Sequence, residues 1–279
     1  MLSTVPPLLI WAIPFFLGLL AWEAYDAAKD QAETYNDRRD TRTSITMGLG
    51  FLVINAVFWK AITVAAMFVV WEYRIVDLGW GVAAWAGMIL VDDFAYYWYH
   101  RAHHEIRILW ASHVVHHSSQ QYNLSTALRQ TWTPYTGLLF WVWLPLVGFH
   151  PVMILTAQSV NLLYQFWIHT ERIDKLHPWF EAVFNTPSHH RVHHGSNSQY
   201  LDRNYGGILI VWDRLFATFE PEVERVRYGL TKNIGTYSVV QVAFREYVAI
   251  GHDLRKQGIR FRHRLGYLFR GPGWSPTAN

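Results

Sequence analysis

Residues 79–105 read GWGVAAWAGMILVDDFAYYWYHRAHHE. The first half is apolar, the middle carries Asp92 and Asp93, and the end carries His100, His103, His104 and Glu105. One helix through this stretch starts as a membrane span and finishes as a metal-binding face, because residues four apart stack on one side of a helix. The pair His100 and His104 is such a face. Two further stretches repeat the idea: His113, His116 and His117 follow the pattern HxxHH, and so do His190, His193 and His194. A fourth element is His169-Thr-Glu171. Eight imidazoles in three helical groups exceed the four to six ligands of a single ion and suit two metals. His103 and His189 fall off the repeated spacing and read as supporting residues. His150, His177, His252 and His263 are isolated and read as structural.

Working outward, the rest of the chain is a setting for that site. The chain has 279 residues, 51% of them hydrophobic and only 16% charged, with 15 His and no cysteine. An ordinary soluble domain carries roughly 25% charged residues. The absence of cysteine excludes disulfides, thiolate catalysis and iron–sulfur ligation. Residues 5–22 are an apolar run without the positive flank or small-residue cleavage site of a signal peptide, and read as a first membrane helix. Residues 23–44 are densely charged and read as a solvated helix and loop. Residues 45–71 are apolar except for a snorkelling Lys60, and long enough to span. Residues 134–149 and 151–168 form an apolar hairpin broken at Gly148, His150 and Pro151, whose first arm is short for a full crossing.

The expected fold is therefore an all-α integral membrane protein with four to five membrane helices and a cytosolic, His-rich helical cap. It forms a single domain over 1–279, with an N-terminal helix and charged loop at 1–44, a catalytic core at 45–195 and a cap at 196–279. The hairpin crosses an even number of times, which keeps residues 100–117 and 189–194 on one side. From Glu171 onward there are 15 Lys and Arg against 10 Asp and Glu, and before it 9 against 11. The segments near 205–219 and 239–271 are amphipathic and basic, as expected of a surface apposed to the cytoplasmic leaflet. No Lys/Arg cluster is dense enough for nucleic acid, which is not expected as a partner.

Imidazole suits iron, zinc, copper and nickel alike, so spacing does not choose the metal. The three-box pattern resembles the fatty acid hydroxylase/sterol desaturase superfamily of membrane di-iron enzymes. Longer strings sharpen the likeness: 93–101 DFAYYWYHR, 122–130 YNLSTALRQ, 161–171 NLLYQFWIHTE, 185–195 NTPSHHRVHHG, 204–207 NYGG, 212–220 WDRLFATFE and 271–274 GPGW. These look like its ether-lipid-cleaving branch, over roughly residues 43–275. The resemblance implies an O2-dependent oxidoreductase with two Fe ions that hydroxylates the carbon next to a lipid ether oxygen. It implies a lipid drawn from the bilayer and an external reductant, either tetrahydrobiopterin or another electron donor. Other lipid hydroxylases and desaturases of the superfamily are the alternative.

By the same resemblance His100, His104, His113, His116, His117, His190, His193 and His194 are metal ligands, and His169 is a ninth. Gln165 stands where some relatives carry another histidine, and either faces the metal or packs. Ligand imidazoles need a partner on the second ring nitrogen. The carboxylates available are Asp92, Asp93, Glu105, Glu171 and Asp202. Of these, Glu105, Asp93 and Glu171 are the candidates for catalytic support, by orienting a ligand or relaying protons. Glu105 paired with an arginine is the plainer alternative. The polar stretch with Asn123, Arg129 and Gln130 is the candidate cofactor- or headgroup-binding surface, with Arg129 facing an anion. Its plainer alternative is an interfacial segment held by polar contacts.

Overall fold

The computed structural model describes residues 8–29 and 37–276. The start of the first apolar run, and Asp30 and Glu33 of the charged stretch, lie outside those residues. The described residues are helical, with only isolated bridges at Phe184–Leu209 and Gly195–Tyr228.

Helix α1 is Leu8–Lys29. Helix α2 runs Arg38–Trp71 as one 34-residue rod with a π-turn at Asn55–Trp59. Asp37 caps it, its Oδ1 accepting the Arg39 N–H at 2.9 Å. Helix α3 is Val82–Glu105, and Ile106, extended at φ −118° and ψ 114°, breaks it from α4, Arg107–His117. That break turns the chain so that the first two histidine boxes face each other. Helix α5 is Pro151–Trp167, opened by Pro151 at its first turn and by His150, whose Nδ1 accepts the Val152 N–H at 3.2 Å. The third box lies on α6, Pro187–His193, a seven-residue helix begun by Pro187 and by Thr186, whose hydroxyl accepts the His189 N–H. The chain closes with α7, Val239–Leu254, and α8, Phe261–Phe269.

Two apolar clusters hold these elements. Met67 of α2, Met88 and Ala95 of α3, Trp141, Leu144, Phe149, and Met153, Ile154 and Ala157 of α5 form the larger. Met47 of α2, Val115 of α4, and Val242 and Ala243 of α7 form the second. Burying such side chains contributes about 1.5–3 kcal/mol each.

Among the described residues one helix, α2, is long and apolar enough to cross a membrane, by length and composition. Its apolar residues Leu49, Leu52, Val53, Val57, Phe58 and Ile62 are exposed. The other expected spans depart from that criterion for identifiable reasons. Helix α3 carries Asp92 and Asp93 in its middle. The first arm of the hairpin, Pro134–Val147, is a succession of short turns rather than one rod. Fourteen helical residues would reach only about 21 Å, against a hydrocarbon core of about 30 Å. The arm ends at Gly148, whose φ of 115° and 2.4 Å approach of a Cβ to the Val76 carbonyl admit no side chain.

The charged stretch 23–44, which begins within α1, is not wholly solvated, contrary to expectation. Glu23 and Asp40 are 1% and 3% exposed. Glu23 accepts the Leu124 N–H at 2.7 Å and the Thr170 hydroxyl. Asp40 pairs with Arg129 at 2.8 Å and accepts the Ser119 hydroxyl. These carboxylates tie α1 and α2 to the segments that carry the second box and His169. Their partners lie far along the chain, so nothing nearby in sequence marks them as buried.

Candidate metal centre

The HxxHH motif is a two-way fork. Its outer pair, four residues apart, shares one face, and its middle histidine turns aside by one residue step. The structure uses that fork in both boxes. His100 and His104 from α3, His113 and His117 from α4, and His193 from α6 bring one ring nitrogen each to within 4.8 Å of one another. His116 from α4, His169 after α5, and His190 and His194 from the third box do the same at a second point. The pair of the second box thus joins the first group and sends His116 to the other. The pair of the third box joins the second group and sends His193 back. All nine candidate ligands are brought together, five and four.

Seven of the nine are buried, and His113 and His116 keep intermediate exposure. Burial, and the neighbouring imidazoles, push His113, His117, His190, His193 and His194 well below free imidazole. His169 is held at about 4 by burial. The rings are therefore neutral at pH 7, the form that offers a lone pair.

Proton counting shows that these donors are arranged for a cation. The Nδ1 atoms of His100, His193 and His169 lie 2.8, 3.0 and 2.7 Å from the carbonyl oxygens of Tyr205, Arg203 and Gln165. A carbonyl only accepts, so Nδ1 carries the proton and Nε2 is a bare lone pair in all three. In the first group the Nε2 contacts run His100–His113 at 2.9 Å, His113–His117 at 3.1 Å and His117–His193 at 3.1 Å. Both ends are bare, so at most two protons serve three contacts. In the second group the bare Nε2 of His169 faces Nε2 of both His116 and His190, at 3.1 and 3.0 Å, with one lone pair for two neighbours. Converging lone pairs repel unless a cation lies between them. With a metal–nitrogen bond of about 2.1 Å, donors at right angles sit about 3.0 Å apart, which matches these separations and suits octahedral sites.

Backbone carbonyls orient three of the nine, His100, His193 and His169, where the sequence offered carboxylates for that task. Asp93 touches no imidazole. It accepts the N–H groups of Ile208 and Leu209 at 2.7 and 3.0 Å and the Trp212 indole at 2.9 Å, pinning the 206–212 segment to α3. Asp92 accepts from Trp141 and Asn161. Glu105 is exposed and paired with Arg101 at 2.9 Å. Glu171 accepts the Tyr228 hydroxyl at 2.9 Å. Asp202 lies 3.6 Å from His104 Nδ1, beyond hydrogen-bond length. Gln165 supplies its carbonyl to His169, while its amide bonds Tyr96 and Asn161.

Asp213 is the residue that the sequence reading missed. Fully buried, it accepts the N–H groups of Tyr205 and Gly206, both at 2.7 Å, and so fixes the loop whose carbonyls hold His100 and His193. Burial raises its carboxyl to about 6. The signal available was a lone acid within the apolar string 211–219.

Asn123, Arg129 and Gln130 each bond within the protein. Arg129 spends its guanidinium on Asp40, Ser44 at 3.0 Å and Ser118 at 3.1 Å. Asn123 caps the turn Leu124–Leu128, accepting the Ser125 N–H at 3.0 Å. Gln130 donates to the Ala127 carbonyl at 2.8 Å. His103 donates its Nδ1–H to the Tyr99 carbonyl at 2.7 Å, accepts the Thr136 hydroxyl on Nε2 at 2.9 Å and stands outside both groups, as does His189 beside Glu181.

Two results are expected here. An alanine Cβ at Gly207 meets Asn161 Oδ1 at 2.7 Å and Asp93 Oδ1 at 2.9 Å. Gly207→Ala should therefore cost about 1–3 kcal/mol, read as a lowered Tm. Chelator-treated protein should also lose stability as pH falls from 6.5 towards 4. In that window the unfolded chain binds protons on its imidazoles and the folded chain, with His169 at about 4, does not. Each such group costs about 1.4 kcal/mol per pH unit. A Tm unchanged between pH 7.5 and 5 would show that the imidazoles titrate freely.

Fold and site together define a helical protein built around a paired, all-imidazole candidate metal centre. Residues 85–218, which hold all nine histidines, match the family model described as fatty acid hydroxylase. The chain is 41% identical to alkylglycerol monooxygenase of Homo sapiens over 279 residues, 99% of this chain and 62% of that protein. It is 40% identical to alkylglycerol monooxygenase of Danio rerio over 276 residues, 98% of this chain and 61% of that protein. Identity to an ornithine lipid hydroxylase of Rhizobium tropici is 27% over 168 residues, 56% of this chain and 48% of that protein. The chain spans about three fifths of the length of the first two. No solved structure matches it.

Proposed function

We propose that the chain is an O2-dependent lipid monooxygenase that cleaves the O-alkyl bond of an alkylglycerol. The observation that carries this reading is the five-and-four division of nine imidazoles, in a chain 41% identical over nearly its full length to an alkylglycerol monooxygenase. One oxygen atom of O2 enters the CH2 beside the ether oxygen and the other leaves as water, with two electrons and two protons from an external reductant. The hemiacetal then collapses to a fatty aldehyde and the free glycerol hydroxyl. Two iron ions, held by His100, His104, His113, His117 and His193 and by His116, His169, His190 and His194, would supply the oxygen activation. The carbonyls of Tyr205, Arg203 and Gln165 fix His100, His193 and His169. In this reading Glu105, next to His104 in sequence and open to solvent, hands protons towards the centre, whereas Asp93 and Glu171 act through the segments they pin.

We read the chain as one multi-pass membrane domain of four to five membrane helices. The centre lies at the cytosolic face, the substrate arrives from the bilayer, and tetrahydrobiopterin or another carrier acts as reductant. The test is incubation of iron-loaded protein in lipid nanodiscs with alkylglycerol, oxygen-18 gas and tetrahydrobiopterin. Labelled fatty aldehyde supports the reading. A stable hydroxyl or a new double bond, on this or on an ornithine lipid, would support the second reading, a lipid hydroxylase or desaturase, which the likeness to the Rhizobium tropici enzyme favours.

A further inference from the structure

The two C-terminal helices take no part in the centre, yet they expose apolar surface. Val240, Phe244 and Val248 recur every four residues on α7, and Phe261, Leu265 and Phe269 do so on α8. Each set lies on one helical face. Phe261 is 74% and Phe269 60% exposed, an unusual setting for phenylalanine in a hairpin whose two helices pack on each other. Residues 255–270 also hold six cations and no carboxylate. Among the described residues no carboxylate lies within ion-pair distance of Arg260, Arg262 or Arg264.

The place of the hairpin decides what covers it. The start of α7 packs beside the first turns of α2. The Thr43 hydroxyl donates to the Tyr237 carbonyl at 3.2 Å, and Met47 joins Val242 and Ala243 in one cluster. Arg39, in the first turn of α2, lies over the Tyr237 ring at 4.8 Å. The hairpin therefore sits at the N-terminal end of the rod read as a span, at the depth of a membrane–water boundary. It is also clamped to the second histidine box. Arg107, the first residue of α4, pairs with Glu246 at 2.7 Å and Asp253 at 2.6 Å, and donates its N–H to the Arg270 carbonyl at 3.0 Å.

We propose that the α7–α8 hairpin lies on an anionic lipid leaflet, with Phe261, Leu265 and Phe269 inserted among the acyl chains and Arg260, Arg262 and Arg264 on the headgroups. Aromatic and aliphatic side chains on one helical face with cations beside them are the chemistry of an interfacial helix. An anionic leaflet attracts the cations as a neutral one does not. The proposal rests on the reading of Arg38–Trp71 as a membrane span.

The chain has no cysteine, so single-site labelling tests this cleanly. Phe261→Cys, Phe269→Cys and the span marker Leu52→Cys are each labelled with an environment-sensitive fluorophore. Each is reconstituted in nanodiscs of phosphatidylcholine, with or without phosphatidylserine. The expected result is blue-shifted emission at 261 and 269 that acyl-brominated lipids quench, more strongly with phosphatidylserine. Replacing Arg260, Arg262 and Arg264 by serine should weaken insertion about fivefold per residue. Water-like emission at 261 and 269 with a quenched label at 52 overturns the proposal and leaves the span intact. Equal quenching in both lipids overturns the anionic preference. Blue emission that bromine does not quench shows a protein, such as a second copy, covering the face, and also overturns the proposal. An unquenched label at 52 removes the span itself and the proposal with it.

Discussion

Replacing His116 by alanine should abolish turnover and lower the metal content from two ions per chain to about one. His116 is the sole residue that α4 gives to the four-imidazole group, and its loss leaves His169, His190 and His194. The five-imidazole group keeps every donor. Residues that merely orient a ligand change metal affinity or activity 10–100-fold, and removal of a ligand itself should exceed that. His103→Ala is the matched control. His103 sits one residue before a ligand, but its ring is held by Tyr99 and Thr136 and points into neither group. That variant should keep both metals. Full activity and two metals in His116→Ala would contradict the two-group assignment.

Arg129→Ala should be the most destabilising change outside the centre. The guanidinium is 2% exposed and bonded to the equally buried Asp40, to Ser44 and Ser118, and at 2.9 Å to the Asp40 carbonyl. Truncation leaves an unpaired carboxylate in the interior, which costs about 3–5 kcal/mol. It also releases the N-terminal turn of α2 from the segment following the second box. The measurement is thermal unfolding in detergent, with metal content followed in parallel. A Tm within a few degrees of the parent would show that Asp40 finds water or another partner. Arg129→Lys should recover only part of the loss, because an ammonium on a flexible stem does not reproduce a planar fork with several partners.

Eight of the nine histidines were legible in the sequence because a helix has one period, and HxxxH and HxxHH are its plainest expression. His169 was legible only through the resemblance, since a single histidine carries no spacing. What orients those histidines was not legible. Backbone carbonyls of Gln165, Arg203 and Tyr205 hold His169, His193 and His100, and a carbonyl belongs to every residue alike. The carboxylates that looked suited to the task hold other segments in place, Asp93 the 206–212 segment and Glu171 the Tyr228 hydroxyl.

Arg129 misled for a related reason. A polar stretch after a metal box resembles a ligand surface, and the residue that neutralises Arg129 lies 89 positions earlier. Glu23 and Asp40 sit in the most charged stretch of the chain, where density of charge normally means water. Their burial depends on contacts with Thr170 and Arg129 that only folding brings about. For the hairpin, sequence gave the break at Gly148 and the shortness of the first arm, and the structure adds that the arm is several turns rather than one helix.

The five-and-four grouping of the imidazoles implies two metal ions in unequal settings. Its most direct test is a Mössbauer spectrum of protein loaded with isotopically enriched iron, taken at known protein concentration. The expected result is two irons per chain, seen as two quadrupole doublets of equal area. One iron per chain, or a single doublet, would contradict it.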